Sequence, residues 1–193
     1  MENEKALSLL NELQLNPLID SISISKLAAV DSRTLSDIKL NFNSVMGSNN
    51  FTSKKESYLL ALSVAINEKH TALMQAFEQG AINAGATEAE IAETHACVSV
   101  MVTNNIFYRF RHFMHGTEFY QNHPAGMRMS VMMNPVLGKE FFELMSLVLS
   151  AVNGCERCVT SHEASVKQHG ASEPRIYDAM RLAAVIKSIC VII

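Results

Sequence analysis

The sequence predicts an all-α fold built from two related helical halves, and three observations carry that reading. Ala, Leu, Met, Glu and Lys are abundant, and no sustained alternation of Val, Ile and Thr between hairpin turns suggests strands. Helix start and stop chemistry recurs along the chain. Two stretches also resemble each other without a gap, because Gly85-Ala86-Thr87-Glu88 reappears as Gly170-Ala171-Ser172-Glu173 at an offset of 85 residues.

Taken in order, apolar spacing predicts helices over 3–12 and 33–47, within an N-terminal helical segment spanning 1–50. A long helix is expected over 54–79, followed by helices over 87–104 and 106–116. Gly85 ends the first of these, and Thr87 caps the next with Glu90 three residues on, as in a capping box. Residues 121–135 hold His123-Pro124, Gly126 and Asn134-Pro135 and read as a linker. Helices over 138–152, 156–169 and 174–191 complete the chain, the last capped by Ser172 with Pro174 in its first turn. At the constant offset Lys54 falls on Lys139, Leu59 on Leu144, Leu62 on Leu147, Glu78 on Glu163 and Ile91 on Ile176. The expectation is a single domain over 1–193, with a degenerate repeat at 54–115 and a catalytic repeat at 138–193.

A chain of 193 residues, 48% apolar with 4 Pro and 8 Gly, can bury a sizeable core and does not read as disordered. Its formal net charge of −3 gives no electrostatic case for nucleic acid. The basic-aromatic run Tyr108-Arg109-Phe110-Arg111-His112 is therefore read as a helix with Phe and Tyr in the core and arginines paired at a surface or interface. The Met-rich stretch Met127–Met133 reads as adaptable packing. Met1-Glu2-Asn3-Glu4-Lys5 does not look like a signal peptide, and the apolar tail Leu182–Ile193 is short and interrupted by Lys187. A soluble, cytoplasmic protein without membrane or nucleic-acid partners is expected.

The chemistry concentrates in Cys155-Glu156-Arg157-Cys158. Val152-Asn153-Gly154 is a turn signal, so Cys155 stands at or near a helix start with Cys158 one turn on. Unpaired N–H groups and the helix dipole stabilise a thiolate there. A thiolate attacks a peroxide oxygen to give a sulfenic acid, which a neighbouring thiol converts to a disulfide. His162 follows Cys158 by four residues on the same helix face and can exchange its proton. Glu143 falls level with His162 if the two helices pack antiparallel. The first half has Tyr58, His70, Leu73 and Phe77 where the second has Glu143, Cys155, Cys158 and His162, so only one half carries this set. A zinc site normally takes four ligands, and beside the dithiol only His162 and, farther along, His169 are near in sequence, so zinc is the lesser reading. Cys97 and Cys190 sit in apolar helical runs and read as buried, inert thiols.

Glu143, eleven residues, Cys155, two, Cys158, three, His162 is a spacing that resembles the AhpD-type alkylhydroperoxidases of the carboxymuconolactone decarboxylase-like superfamily. Asn104-Asn105-Ile106-Phe107-Tyr108-Arg109, Ser161-His162-Glu163 and Gly170 are similar to that family too, and the resemblance covers roughly 50–190. It implies an AhpD-like helical fold with an internal pseudo-twofold, assembled as a homotrimer or higher homo-oligomer. It further implies that Cys158 forms the sulfenic acid, that Cys155 is proton donor and disulfide partner, and that Glu143 and His162 relay protons. The implied activity is reduction of alkyl hydroperoxides and regeneration of an oxidised peroxiredoxin. No tightly bound cofactor is implied, and electrons would come from the dihydrolipoyl group of a lipoylated protein. Some members carry a histidine between the cysteines where this chain has Arg157, which cannot relay a proton at neutral pH but favours a thiolate. A decarboxylase-like activity, which needs no cysteine pair, and a non-enzymatic redox or metal-binding module are the alternatives.

Overall fold

In a computed structural model describing residues 3–47 and 50–193, the chain forms ten α-helices and one 3-10 turn, with no strand among the described residues. Met1, Glu2, Ser48 and Asn49, part of the segment expected at 1–50, lie outside the described residues. The helices are α1 (Glu4–Glu12), α2 (Ile22–Ala29), α3 (Thr34–Met46), α4 (Lys54–Asn67), α5 (Thr71–Asn83), α6 (Glu88–Phe113), α7 (Glu118–Asn122), α8 (Lys139–Val152), α9 (Glu156–Gln168) and α10 (Glu173–Ile192). The 3-10 turn, Ser130–Met132, precedes α8.

The offset of 85 superposes α4 on α8 and α5 on α9 at both ends, and the starts of α6 and α10. Turn chemistry repeats with it. Lys69 and Gly154, both at positive φ, end the first helix of each half, and Gly85 and Gly170 end the second. Thr87 and Ser172 then cap the third helices, Thr87 in a complete capping box with Glu90. Pro174 lies in the first turn of α10.

Helices α4 and α8 form the centre, with Leu59–Ala65 and Phe141–Ser150 continuously buried. Each folds back as an αα-hairpin with the helix that follows, α5 or α9. Helix α6 crosses onto α8 and α9 of the other half, and α10 crosses onto α4, so the halves share one core. Arg175 on α10 ties both central helices together. Its guanidinium donates to Glu140 at 2.8 Å, to Glu56 at 2.6 Å and to the Phe51 carbonyl at 2.7 Å.

Four expectations need correction. The helix foreseen over 54–79 is two helices, because Lys69 takes the left-handed conformation (φ 58°) without a glycine to announce it. The helices foreseen over 87–104 and 106–116 are one, since no breaker interrupts Asn104-Asn105 and both side chains turn inward. The linker begins with α7, and α2 occupies a stretch for which no helix was foreseen. Among the described residues, no helix is long and apolar enough to cross a membrane.

Candidate active site

Cys155 is the N-cap of α9 and Cys158 lies in its first turn, and the two are joined by a disulfide with Cα atoms 5.3 Å apart. The Cys155 N–H donates to Ser150 O at 3.0 Å and the Val159 N–H to Cys155 O at 2.9 Å, which closes the turn and opens the helix. The N–H groups of Glu156, Arg157 and Cys158 have no carbonyl of their own helix to bind, so the end of α9 presents positive potential to the sulfurs.

A partly buried amide network fixes the turn ahead of the dithiol. Asn153 exchanges two hydrogen bonds with Asn67 (3.0 and 3.1 Å) and donates to Asn105 Oδ1 at 2.9 Å. Asn105 donates in turn to Ser150 Oγ at 2.9 Å, and Arg109 Nη1 donates to the Asn153 carbonyl at 2.7 Å. Residues from α4, α6, α8 and the turn thus hold one loop.

His162 Nδ1 lies 2.7 Å from Glu143 Oε2 across the α8–α9 interface, with both side chains largely buried. Burial alone would raise the Glu143 carboxyl. The hydrogen bond and charge of His162, with a hydrogen bond to Ser165, outweigh it and hold the carboxyl below its ordinary value. The equivalent place in the first half holds Tyr58, whose ring packs where a Cβ on Gly80 would stand, 2.3 Å away. Gly80 and Ser165 are themselves equivalent positions, so an aromatic-on-glycine contact has become a carboxylate–hydroxyl contact. Leu73 and Phe77, matching Cys158 and His162, are fully buried core residues. Burying a phenylalanine contributes about 1.5–3 kcal/mol, which the second half forgoes at His162.

Beside the dithiol lies a cavity of about 330 Å³. Its α9 wall is Arg157, Cys158, Ser161 and His162. Opposite stand Asn104 and Tyr108 of α6, with Met129 and Met132 from the linker. Cys158, 6% exposed, reaches this cavity; Cys155, 0% exposed, does not line it. Arg157 has no ion pair among the described residues, and its guanidinium sits 6.0 Å from the Tyr108 ring centroid. The linker is pinned in place by Glu93, whose carboxylate accepts from the Val136 and Leu137 N–H groups at 2.7 and 2.6 Å, and by Lys139 donating to Met132 O.

The four expected site residues therefore come together, while the aromatic run departs from expectation. Tyr108 lines the cavity, Phe110 is exposed, and Arg111 stacks on Phe107 at 4.7 Å, so none of these rings is a core residue. The helix turns this stretch out of the bundle beyond Asn105. Cys97 is buried and its thiol is pushed up to about 12 by burial; Cys190, only partly buried, is also raised to about 12. Neither supplies a thiolate at neutral pH. Among the described residues, no group of three or more His, Cys, Asp or Glu is placed to hold a metal ion. Sequence reasoning missed Asn104, Tyr108 and Ser165. The signal for the first was an asparagine at core spacing, three residues after buried Met101.

Comparison with known proteins shows the family of the chain. Residues 120–191 match the Carboxymuconolactone decarboxylase family. The alkyl hydroperoxide reductase AhpD of Anaeromyxobacter dehalogenans (strain 2CP-C) is 38% identical over 155 residues, covering 80% of this chain and 82% of that one. The protein of the same name from Rhizorhabdus wittichii is 39% identical over 153 residues, covering 79% and 86%. That from Azorhizobium caulinodans is 36% identical over 155 residues, covering 80% and 84%. The chain belongs to the AhpD family, within the wider carboxymuconolactone decarboxylase group. With its disulfide-forming Cys155–Cys158 pair it is an AhpD-like oxidoreductase with a thiol-based redox role.

Proposed function

We propose that the protein reduces organic hydroperoxides through a Cys155–Cys158 dithiol/disulfide cycle and regenerates an oxidised peroxiredoxin by the same exchange. One observation carries this reading: Cys158 shares a cavity with His162, whereas Cys155 is sealed from it. In the reduced enzyme the Cys158 thiolate attacks the terminal oxygen of the hydroperoxide. The S–O bond forms, the O–O bond breaks, and the alkoxide takes the proton held by His162. Glu143 orients that histidine and balances its charge. Cys155 then attacks the Cys158 sulfenic acid, its proton leaves with the hydroxide as water, and the disulfide closes. Arg157 does not pass on a proton at neutral pH but adds positive potential beside the thiolate.

Two electrons must return to the disulfide, and a dihydrolipoyl group on a partner protein is the donor in this reading. The degenerate half, 54–115, acts as scaffold and the half at 138–193 carries the chemistry within one domain. The setting is cytoplasmic, where thiols are kept reduced between turnovers. Val102, Ile106, Phe110 and Phe113 leave an exposed apolar stripe at helical spacing along α6, which a homotrimer or higher homo-oligomer would cover.

The test is steady-state reduction of cumene hydroperoxide with a dihydrolipoyl donor, with and without an oxidised peroxiredoxin. Wild type should turn over, and Cys155→Ser and Cys158→Ser should each abolish it. Full turnover in either variant contradicts the proposal.

A further inference from the structure

Asn104 is a polar residue that the fold gives no reason to keep. It is 5% exposed, and its Oδ1 is buried without a hydrogen-bond partner among the described residues. Its Nδ2 faces only the Met132 sulfur, at 4.0 Å, which directs the amide hydrogens there and leaves the carbonyl end unused. The neighbouring Asn105 shows the usual arrangement, with both ends of its amide bonded. The matching position in the other half is Ile189, fully buried, so this place in the core accepts an aliphatic side chain. An unpaired buried acceptor destabilises the folded chain. The Asn104 residue also lines the cavity that Cys158 and His162 share, so a ligand there with a hydrogen to donate would find this carbonyl beside it.

A hydroperoxide is such a ligand. Its terminal oxygen, the atom a thiolate attacks, carries the one hydrogen of the O–O–H group, whereas the ether-like oxygen carries none. We propose that Asn104 Oδ1 accepts the hydrogen bond from the terminal O–H of the bound hydroperoxide and so aims that oxygen at Cys158 and the departing oxygen at His162. This rests on the hydroperoxide-reducing reading above and adds a substrate-positioning residue to it. The electron balance is unchanged. Cys158 gains the S–O bond as the O–O bond breaks, the terminal oxygen keeps its hydrogen as the sulfenic acid, and the alkoxide leaves as alcohol with the proton from His162. Asn104 neither gives nor takes a proton. The side chains around it match an alkyl hydroperoxide, since Met129, Met132 and Tyr108 offer apolar surface to the organic group.

The test uses the full chain with Asn104→Leu, and Asn104→Ala in case leucine does not fit. Three quantities are measured: the melting temperature, the rate at which reduced enzyme is oxidised by cumene hydroperoxide, and the rate at which its dithiol is alkylated by iodoacetamide. One lost hydrogen bond to the reacting oxygen should lower the hydroperoxide rate about tenfold. The alkylation rate should stay within about twofold, and the melting temperature should hold or rise because an unpaired buried carbonyl has gone. A falling melting temperature with both rates reduced together would show a structural role and overturn the inference. An unchanged hydroperoxide rate in either folded variant would overturn it as well. Should wild type be alkylated yet fail to react with hydroperoxide, the functional reading itself fails and takes this inference with it.

Discussion

Glu143 Oε2 lies 2.7 Å from His162 Nδ1, and that contact joins the two helices flanking the dithiol at the places where the other half carries Tyr58 and Phe77. A buried carboxylate on a ring nitrogen sets which nitrogen carries the proton and leaves the other toward the cavity.

Glu143→Gln should therefore keep the packing but lose the charge that orients and balances His162. General acid–base steps contribute about 10²–10⁴-fold, and turnover should fall by about 10²-fold or more. The same carboxyl makes a prediction about acid. Because its folded value lies below its unfolded one, the unfolded chain binds a proton first as pH falls. Its contribution to stability is complete above about pH 5 and is lost as pH falls through the folded value. Urea unfolding across pH 3–7 should show a steeper acid loss for wild type than for Glu143→Gln. Parallel curves would contradict the argument.

The first half supplies its own test at Gly80. A methyl there meets the Tyr58 ring, with Cε1 only 2.3 Å away. Overpacking costs about 1–3 kcal/mol, while glycine to alanine in a helix returns about 0.8–1.0 kcal/mol. Gly80→Ala should thus destabilise by on the order of 1 kcal/mol, and combining it with Tyr58→Leu should recover most of the loss. Chemical denaturation of the two single variants and the pair measures the coupling. Additive effects would mean that the ring and the glycine do not constrain each other.

Arg175 joins Glu56 of α4 to Glu140 of α8. Removing one member of a partly buried ionic cluster leaves two carboxylates facing each other, and Arg175→Met should cost about 2–3 kcal/mol near neutral pH. Burial would raise the Glu56 carboxyl, but hydrogen bonds from Arg175 and the Ser53 backbone outweigh it and hold it below its ordinary value. Its contribution is present above the unfolded value and fades as pH falls through the folded one. The gap between wild type and Arg175→Met should narrow toward pH 3. A gap independent of pH would assign the loss to packing.

The architecture was legible because helix boundaries here are written in local chemistry. Thr87 with Glu90, Ser172 with Pro174, and the 85-residue offset each mark an end that the structure keeps. The break after Asn67 was hidden, since Lys69 holds a left-handed turn that glycine holds at the matching Gly154. The spacing of Cys155, Cys158 and His162 was readable because it lies along one helix. Glu143, on the preceding helix, was reachable through the antiparallel packing expected of the two helices and through the spacing that resembles the family. The far wall of the cavity was not placed from sequence: Asn104 and Tyr108 stood out only in a stretch resembling the family, and their meeting with Met129 and Met132, from a crossing helix and a linker, depends on tertiary packing.

The central claim is that Cys158, and not Cys155, meets the peroxide. Reduced Cys155→Ser protein should be treated with one equivalent of cumene hydroperoxide in the presence of dimedone and digested for mass spectrometry. The account predicts a dimedone adduct on Cys158 in Cys155→Ser, and none on Cys155 when Cys158→Ser is treated the same way. An adduct on Cys155 in the Cys158→Ser protein, with Cys158 unmodified in its counterpart, would contradict it.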